Sequence, residues 1–277
     1  MIIIADAGST KTTWSLCEAG ACETVRTSGI NAATMAPETI ARIIADELLP
    51  RVRGRAVTSV NFYGAGIVSD SRRAVIAEAL ARLGADSVMV ESDMLGAARA
   101  ILGHEAGIAC ILGTGSNTCL YDGDRIVDNV PALGYILGDE GSGASLGRRF
   151  VGDLFKRMFP DEVGDIWRER VGLDMADVIE RVYRSPGANV FLGSLVPMIR
   201  ELMGVDAVAS MVEDEFDRFF VRNIDRYATD CRRLGFIGSV AVNFADVLDA
   251  VARRHGYTVA ALEADPMPLL VKFHECG

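Results

Sequence analysis

The sequence predicts an α/β fold made of two duplicated lobes, and three observations point to it. The stretches "IADAGSTKTTWSL" (residues 4–16) and "ILGTGSNTCLYDG" (residues 111–123) follow one plan: an apolar run, a turn of small residues, then a second alternating run. That plan is a β-hairpin with an unhindered tip. Strand-like runs alternate with helical stripes through the first hundred residues, the pattern of a sheet covered by helices. The order then begins again near residue 105. With 277 residues, the chain is long enough for about two domains with a core each.

Taken in order, the first lobe reads as a strand at 2–5, its hairpin partner at 12–17, and a third run near Val25. A helix at 37–48, a strand at 57–62, a helix at 71–83 and a strand at 87–90 follow. The helix is supported by Val75, Ile76, Ala79, Leu80 and Leu83, a stripe of helical period. A short helix at 94–102 ends at "GHEAG", after which a hairpin and a third alternating run restart the series. From Gly143 onward the chain reads as mostly helical. It includes a long amphipathic stretch at 206–227 with Val208, Met211, Val212, Phe216, Phe219, Phe220 and Ile224 on one side. A strand at 234–240 and a helix at 243–255 complete the reading. No low-complexity linker separates the lobes, so the expected domains are 1–105 and 106–277, the second carrying a helical insertion and the two meeting around a central cleft.

Composition excludes several functions. Half the residues are hydrophobic and a quarter charged, an ordinary globular mix. A formal charge of −10 opposes binding to a phosphate backbone, which needs clustered Lys and Arg to displace counterions. The basic group "RVRGR" at 51–55 reads as a solvated turn. The opening "MIIIADAG" lacks a basic leader and reads as a first strand. No apolar run reaches the ~18 residues needed to span a bilayer. A soluble, cytoplasmic protein with no nucleic acid or membrane partner is expected. Cys17, Cys22, Cys110, Cys119, Cys231 and Cys276 form no C-x-x-C pair, so neither zinc nor a disulfide framework is indicated. Cys110 and Cys119 lie in strand patterns and read as free buried thiols.

Chemistry concentrates at the hairpin tips. "DAGSTKT" is not a P-loop, since no glycine lies at the required distance before Lys11. It offers an aspartate at a strand end and a small-residue turn whose backbone N–H groups, hydroxyls and lysine could converge on an anion. The second tip, "GTGSN" (113–117), strengthens that reading, because two such hairpins could grip the phosphates of one nucleotide.

The arrangement resembles the actin, hexokinase and heat-shock-protein superfamily of ATPases, and more closely its N-acetylglucosamine kinase branch, grouped with the activator ATPases of benzoyl-CoA reductase. The resemblance runs in order through "DAGSTKT", "TSGINAAT", "ESDMLGAARA", "LGTGSN", "LGYILGDEGSGASLG" and "FIGSVA". It implies two actin-like, ribonuclease H-like lobes with a central nucleotide cleft, and ATP with Mg²⁺ as cofactors. Asp6, Gly8, Ser9, Thr10, Lys11, Gly113, Thr114, Gly115 and Ser116 would then hold Mg-phosphate, with Asp6 holding the metal mainly through water. Gly238 and Ser239 would lie against the adenosine. Asp93 matches the catalytic base, although its place before a helical run also suits an N-cap. Asn31, Asn117, Gly134 and Asp139 would hold the sugar, with Glu140 beside Asp139. Related kinases carry an aromatic residue where this chain has Leu133, so the sequence leaves the exact amino sugar open.

The function so implied is ATP-dependent phosphorylation of the primary hydroxyl of N-acetylglucosamine or a related amino sugar. A homodimer is compatible with it. Two alternatives stand beside it: a reductase-activating ATPase with a dimer-bridging iron–sulfur cluster, and a sugar or nucleotide sensor without turnover. Residues 153–233 carry no motif that the resemblance places.

Overall fold

The structure, a computed structural model, describes residues 1–8, 10–67 and 69–275. The chain divides into two compact units: residues 1–103 together with the C-terminal segment from Asp265, and residues 104–264.

The first unit is built on a five-stranded sheet of β1 (Ile2–Ala7), β2 (Lys11–Glu18), β3 (Ala21–Ser28), β4 (Ser59–Gly64) and β5 (Ser87–Ser92). The strand order is β3-β2-β1-β4-β5, with β1, β2 and β3 antiparallel and β1, β4 and β5 parallel. The second unit repeats this plan. Its strands are β6 (Gly107–Leu112), β7 (Ser116–Tyr121), β8 (Ile126–Asp128), β9 (Arg233–Ile237) and β10 (Thr258–Glu263), ordered β10-β9-β6-β7-β8. Again the first strand carries an antiparallel hairpin on one side and parallel neighbours on the other. The duplication legible in the two hairpins thus extends to whole sheets. The parallel neighbours require crossovers, supplied by helices such as Asp70–Ala81 between β4 and β5 and Ala245–Arg254 between β9 and β10.

Each unit has its own core. In the first, Ile3, Ala5, Trp14, Leu16, Val60, Phe62, Ile76 and Leu80 pack together, and the Trp14 indole N–H donates to Thr27 Oγ1 at 2.9 Å. The second is richer in aromatics: Phe150, Trp167, Phe216, Phe219, Phe220, Phe236 and Phe244 are all buried. Four of these lie on the helices Gly143–Phe155 and Asp206–Arg222, whose apolar stripes the sequence displays.

Several expectations shift by a few residues. The expected strand at 57–62 lies at Ser59–Gly64, and the helix expected at 71–83 is Asp70–Ala81. The stretch 206–227 is an α-helix to Arg222 and then one 3₁₀ turn, Ile224–Arg226. The strand expected at 234–240 stops at Ile237, because Gly238 at φ 126° turns the chain into the helix Ser239–Asn243.

Three differences are larger. Cys17 and Cys22 form a disulfide, although the cysteine spacing indicates no disulfide framework. The two face each other across the β2–β3 ladder, joined by a tight turn in which Ala19 and Gly20 both take positive φ, as a type I′ turn requires. The spacing C-x₄-C around "EAGA" carries that signal, which an inventory of C-x-x-C pairs misses. Cys110 and Cys119 are free and buried, as expected, and burial raises both thiols, Cys119 to about 12. Cys276 lies outside the described residues.

The second difference is the C-terminal segment, assigned to the second lobe from sequence. Its helix Met267–Glu275 packs against β1, β2 and the helix Asp93–Leu102 of the first unit. The Tyr63 hydroxyl accepts from Arg99 at 3.1 Å, which leaves its hydrogen for His274 Nε2 at 2.8 Å. Burial and the Arg99 guanidinium push His274 down to about 4, so a neutral ring completes that chain. The third is β10 itself, which the sequence reading omits: Thr258–Glu263 alternates only between half-buried and exposed positions, with none fully buried.

No helix among the described residues is long and apolar enough to cross a membrane.

Candidate active site

In the first unit the site residues gather beyond the C-terminal ends of β1, β4 and β5. Asp6 lies near the end of β1, in register with Tyr63 of β4, which is in register with Glu91 of β5. The turn after β1 closes with Gly8 N–H donating to the Lys11 carbonyl at 3.0 Å. Thr10 and Lys11 are exposed at this tip, where their polar groups can meet an anion. Ser9 lies outside the described residues. Asn31 sits on the loop that follows β3, its Oδ1 accepting from Ala33 N–H at 2.9 Å, and Ala32 N–H donates to Ala65 beyond β4.

Asp93 opens the helix Asp93–Leu102 directly after β5. The N-cap of that helix is Ser92, whose hydroxyl accepts from Leu95 N–H at 3.2 Å, so Asp93 is not needed as a cap. Its Oδ1 accepts from Met94 N–H at 2.8 Å, and burial raises its pKa above the ordinary carboxylate range. Burial likewise pushes Asp6 up to about 6, helped by Asp265 and Asp93 and opposed by Lys11. Asp265 is a residue the sequence reading missed. It precedes the C-terminal helix and accepts from Met267 N–H at 2.9 Å, and "DP" before an apolar run is the helix-start signal that could have flagged it. Asp265 and Asp93 thus add negative charge around Asp6, and carboxylate oxygens are the ligand type a hard divalent cation such as Mg²⁺ takes.

The second unit assembles its residues beyond β6 and β9. Gly113 N–H donates to the Gly115 carbonyl at 3.0 Å, closing the second tip. Two N–H groups from the start of the helix Gly143–Phe155 reach this tip: Gly143 donates to the Gly113 carbonyl at 2.8 Å and Ala144 to the Thr114 carbonyl at 3.1 Å. Gly238 sits against it as well. A Cβ there would stand 2.2 Å from the Leu112 carbonyl oxygen, so only glycine brings the β9 turn this close to the second tip. Ser239 follows, exposed, at the first position of its helix.

Asp139 is buried beside the same loop, in the left-handed region at φ 54°. Its carboxylate lies against the second tip, where a Cβ on Gly115 would stand 2.9 Å from Asp139 Oδ2, and it faces the backbone N–H groups of Ser116 and Gly134. Burial pushes its pKa up to about 6, with Glu140 adding to the rise and those two N–H groups and Arg148 opposing it. Ser142 caps the helix that follows, accepting from Ser145 N–H at 3.1 Å. Asn117 Oδ1 accepts from Thr118 N–H at 2.9 Å and from Asn129 Nδ2 at 3.2 Å, which orients its amide N–H₂ as a donor. Asn129 is a second residue the motif reading did not single out.

The structure therefore brings Asp6, Gly8, Thr10, Lys11, Asn31 and Asp93 to one edge of the first sheet. It brings Gly113, Thr114, Gly115, Ser116, Asn117, Gly134, Asp139, Gly238 and Ser239 to the corresponding edge of the second.

No protein-family model and no curated protein matches the chain. Solved structures do. A candidate N-acetylglucosamine kinase from Porphyromonas gingivalis is 43% identical, with 100% of this chain and 99% of that one covered at a TM-score of 0.93. A second candidate N-acetylglucosamine kinase, from Chromobacterium violaceum, shares the fold at 18% identity, a TM-score of 0.72 and 98% coverage of both chains. A ROK family glucokinase from Streptomyces griseus, solved with glucose and AMPPNP, shares it at 15% identity and a TM-score of 0.54, over 100% of this chain and 98% of that one. With 43% identity over essentially the full length of both molecules, and with the ordered motifs seated on duplicated sheets, the chain belongs to the N-acetylglucosamine kinase-like family of the actin, hexokinase and heat-shock-protein ATPase superfamily.

Proposed function

We propose that the protein is an ATP-dependent sugar kinase that phosphorylates the primary hydroxyl of N-acetylglucosamine or a closely related amino sugar. The observation that carries this reading is the full-length likeness, at 43% identity, to a candidate N-acetylglucosamine kinase. The residues that such chemistry needs are present.

In this reading Gly8, Ser9, Thr10 and Lys11 of the first tip and Gly113, Thr114, Gly115 and Ser116 of the second bind the phosphates of ATP. Gly238 and Ser239 bind its adenosine. Asp6 holds Mg²⁺ mainly through water, and Mg²⁺ when bound neutralises phosphate charge. Asn31, Asn117, Gly134 and Asp139 orient the sugar hydroxyls, for which paired carboxylate acceptors and an oriented amide donor are suited. Asp93 accepts the proton of the attacking hydroxyl as the phosphoryl group transfers. A raised pKa strengthens it as a base while leaving it ionised above that pKa.

The cysteines give the iron–sulfur alternative little support: Cys17 and Cys22 are paired, and Cys110 and Cys119 are buried inside β6 and β7. The test is sugar-dependent ADP release with Mg-ATP across amino sugars and neutral hexoses, in wild type and Asp93→Asn. Asn still accepts from Met94 N–H, so the fold should hold while kcat drops by ~10²–10⁴. No stimulation by any sugar would overturn the kinase reading, and an unaffected Asp93→Asn would overturn the base assignment.

A further inference from the structure

The long helix Asp206–Arg222 carries a carboxylate where its neighbours are core aromatics. Glu215 has no exposed side-chain surface, although Phe216, Phe219 and Phe220 beside it show what this part of the helix otherwise buries. A buried carboxylate is costly unless its acceptor sites are filled. Here they are filled by four donors: Gly141 N–H at 3.1 Å, the Ser145 hydroxyl at 2.6 Å, Arg149 at 3.3 Å and Arg218 at 3.4 Å. Three of the four belong to the segment that runs from Asp139 into the next helix, Gly143–Phe155.

That segment does not hold its shape by local bonding alone. Asp139 at φ 54° and Gly141 at φ 74° place two left-handed residues within three positions. Asp139 is non-glycine, and such a conformation persists only where its surroundings enforce it. The enforcing groups lie on one face of the long helix, at spacings of four and three residues: Glu215 bonds Gly141, Phe219 lies under Gly141, and Arg222 pairs with Glu140. Asn223 Nδ2 adds a contact to Glu140 at 3.5 Å. On the loop's other side, Arg148 donates to the Tyr135 carbonyl at 2.9 Å and to Ser145 Oγ at 3.2 Å, joining the Gly134 segment to the same network.

We propose that Glu215 is a positioning residue for substrate binding: it fixes the loop 138–143 so that Asp139 is presented to the sugar. The role in sugar affinity rests on the kinase reading, while the role in holding the loop does not. It gives a function to the helical region that no motif places.

The experiment measures KM for sugar and for ATP, together with amide exchange of residues 138–145, in wild type, Glu215→Leu and Glu215→Gln. Leu removes every acceptor, and Gln keeps a carbonyl for Gly141 and Ser145. Expected are a sugar KM raised tenfold or more by Leu with ATP KM within threefold, recovery of most of that loss by Gln, and tenfold faster exchange in the loop with Leu. Equal changes in both KM values, or no change in a folded Leu variant, would overturn the proposal. If Glu215→Leu does not fold, Ser145→Ala breaks the same link from the loop side: a threefold or greater rise in sugar KM alone supports the proposal, and none overturns it. If wild type shows no sugar-dependent turnover, the kinase reading fails separately. The exchange data then decide: a loop equally protected in wild type and variant refutes the clamp.

Discussion

At the residue scale the candidate site is marked by carboxylates kept away from water. Asp6 and Asp139 are both raised to about 6, mainly by burial, from ordinary values of 3.8. A group whose folded pKa is raised stabilises the fold below its unfolded pKa, and that contribution is lost as pH rises through the folded value. Asp139 therefore weakens the ligand-free protein between pH 4 and pH 7, a cost consistent with a site shaped for binding rather than for stability. Replacing it with Asn removes the charge. The melting temperature of Asp139→Asn relative to wild type should accordingly be more favourable at pH 8 than at pH 5, by differential scanning fluorimetry. An offset identical at both pH values would contradict the burial argument.

At the element scale, each functional side chain is aimed by a short device at the end of a strand. The helix Asp93–Leu102 shows how tightly one is seated. A Cβ at Gly96 would stand 2.8 Å from the Tyr63 ring, and Tyr63 is itself fully buried and held by Arg99 and His274. Gly96→Ala must push the helix or the ring aside, at a cost of about 1–3 kcal/mol typical of overpacking. Because Asp93 lies one turn earlier on this helix, kcat should fall along with stability in urea unfolding. A Gly96→Ala protein of wild-type stability and kcat would mean that the contact relaxes freely. The hairpin tips are less constrained by packing, since Thr10, Lys11 and Thr114 are exposed.

At the scale of the whole molecule, two sheets of the same topology each draw on segments distant in sequence: β9 and β10 extend the second, and the C-terminal helix packs on the first. The C-terminal helix belongs to the first unit, and it buries Met267 and Leu270 there, each side chain worth about 1.5–3 kcal/mol. Deleting residues 265–277 should therefore destabilise residues 1–103, although the cut adjoins the second unit. Limited proteolysis should find new cleavage sites in 1–103 while 104–264 keeps its protection. New sites confined to 104–264 would contradict this assignment.

The local pieces could be read along the chain: the two hairpins, the helical stripes, the restart near residue 105, and the order of motifs that carries the family resemblance. These are legible because turn chemistry and hydrophobic period act over a few neighbouring residues. Tertiary structure decided the rest. Ser92 rather than Asp93 caps the helix Asp93–Leu102, so the aspartate is not needed as a cap, a choice made by one residue of strand length. Asp265 comes to Asp6 across more than 250 residues of chain, and Glu215 comes to Gly141 from 74 residues away. Such pairings obey no spacing rule. They follow from which helix face the core leaves against which loop, and only the folded chain brings those surfaces together.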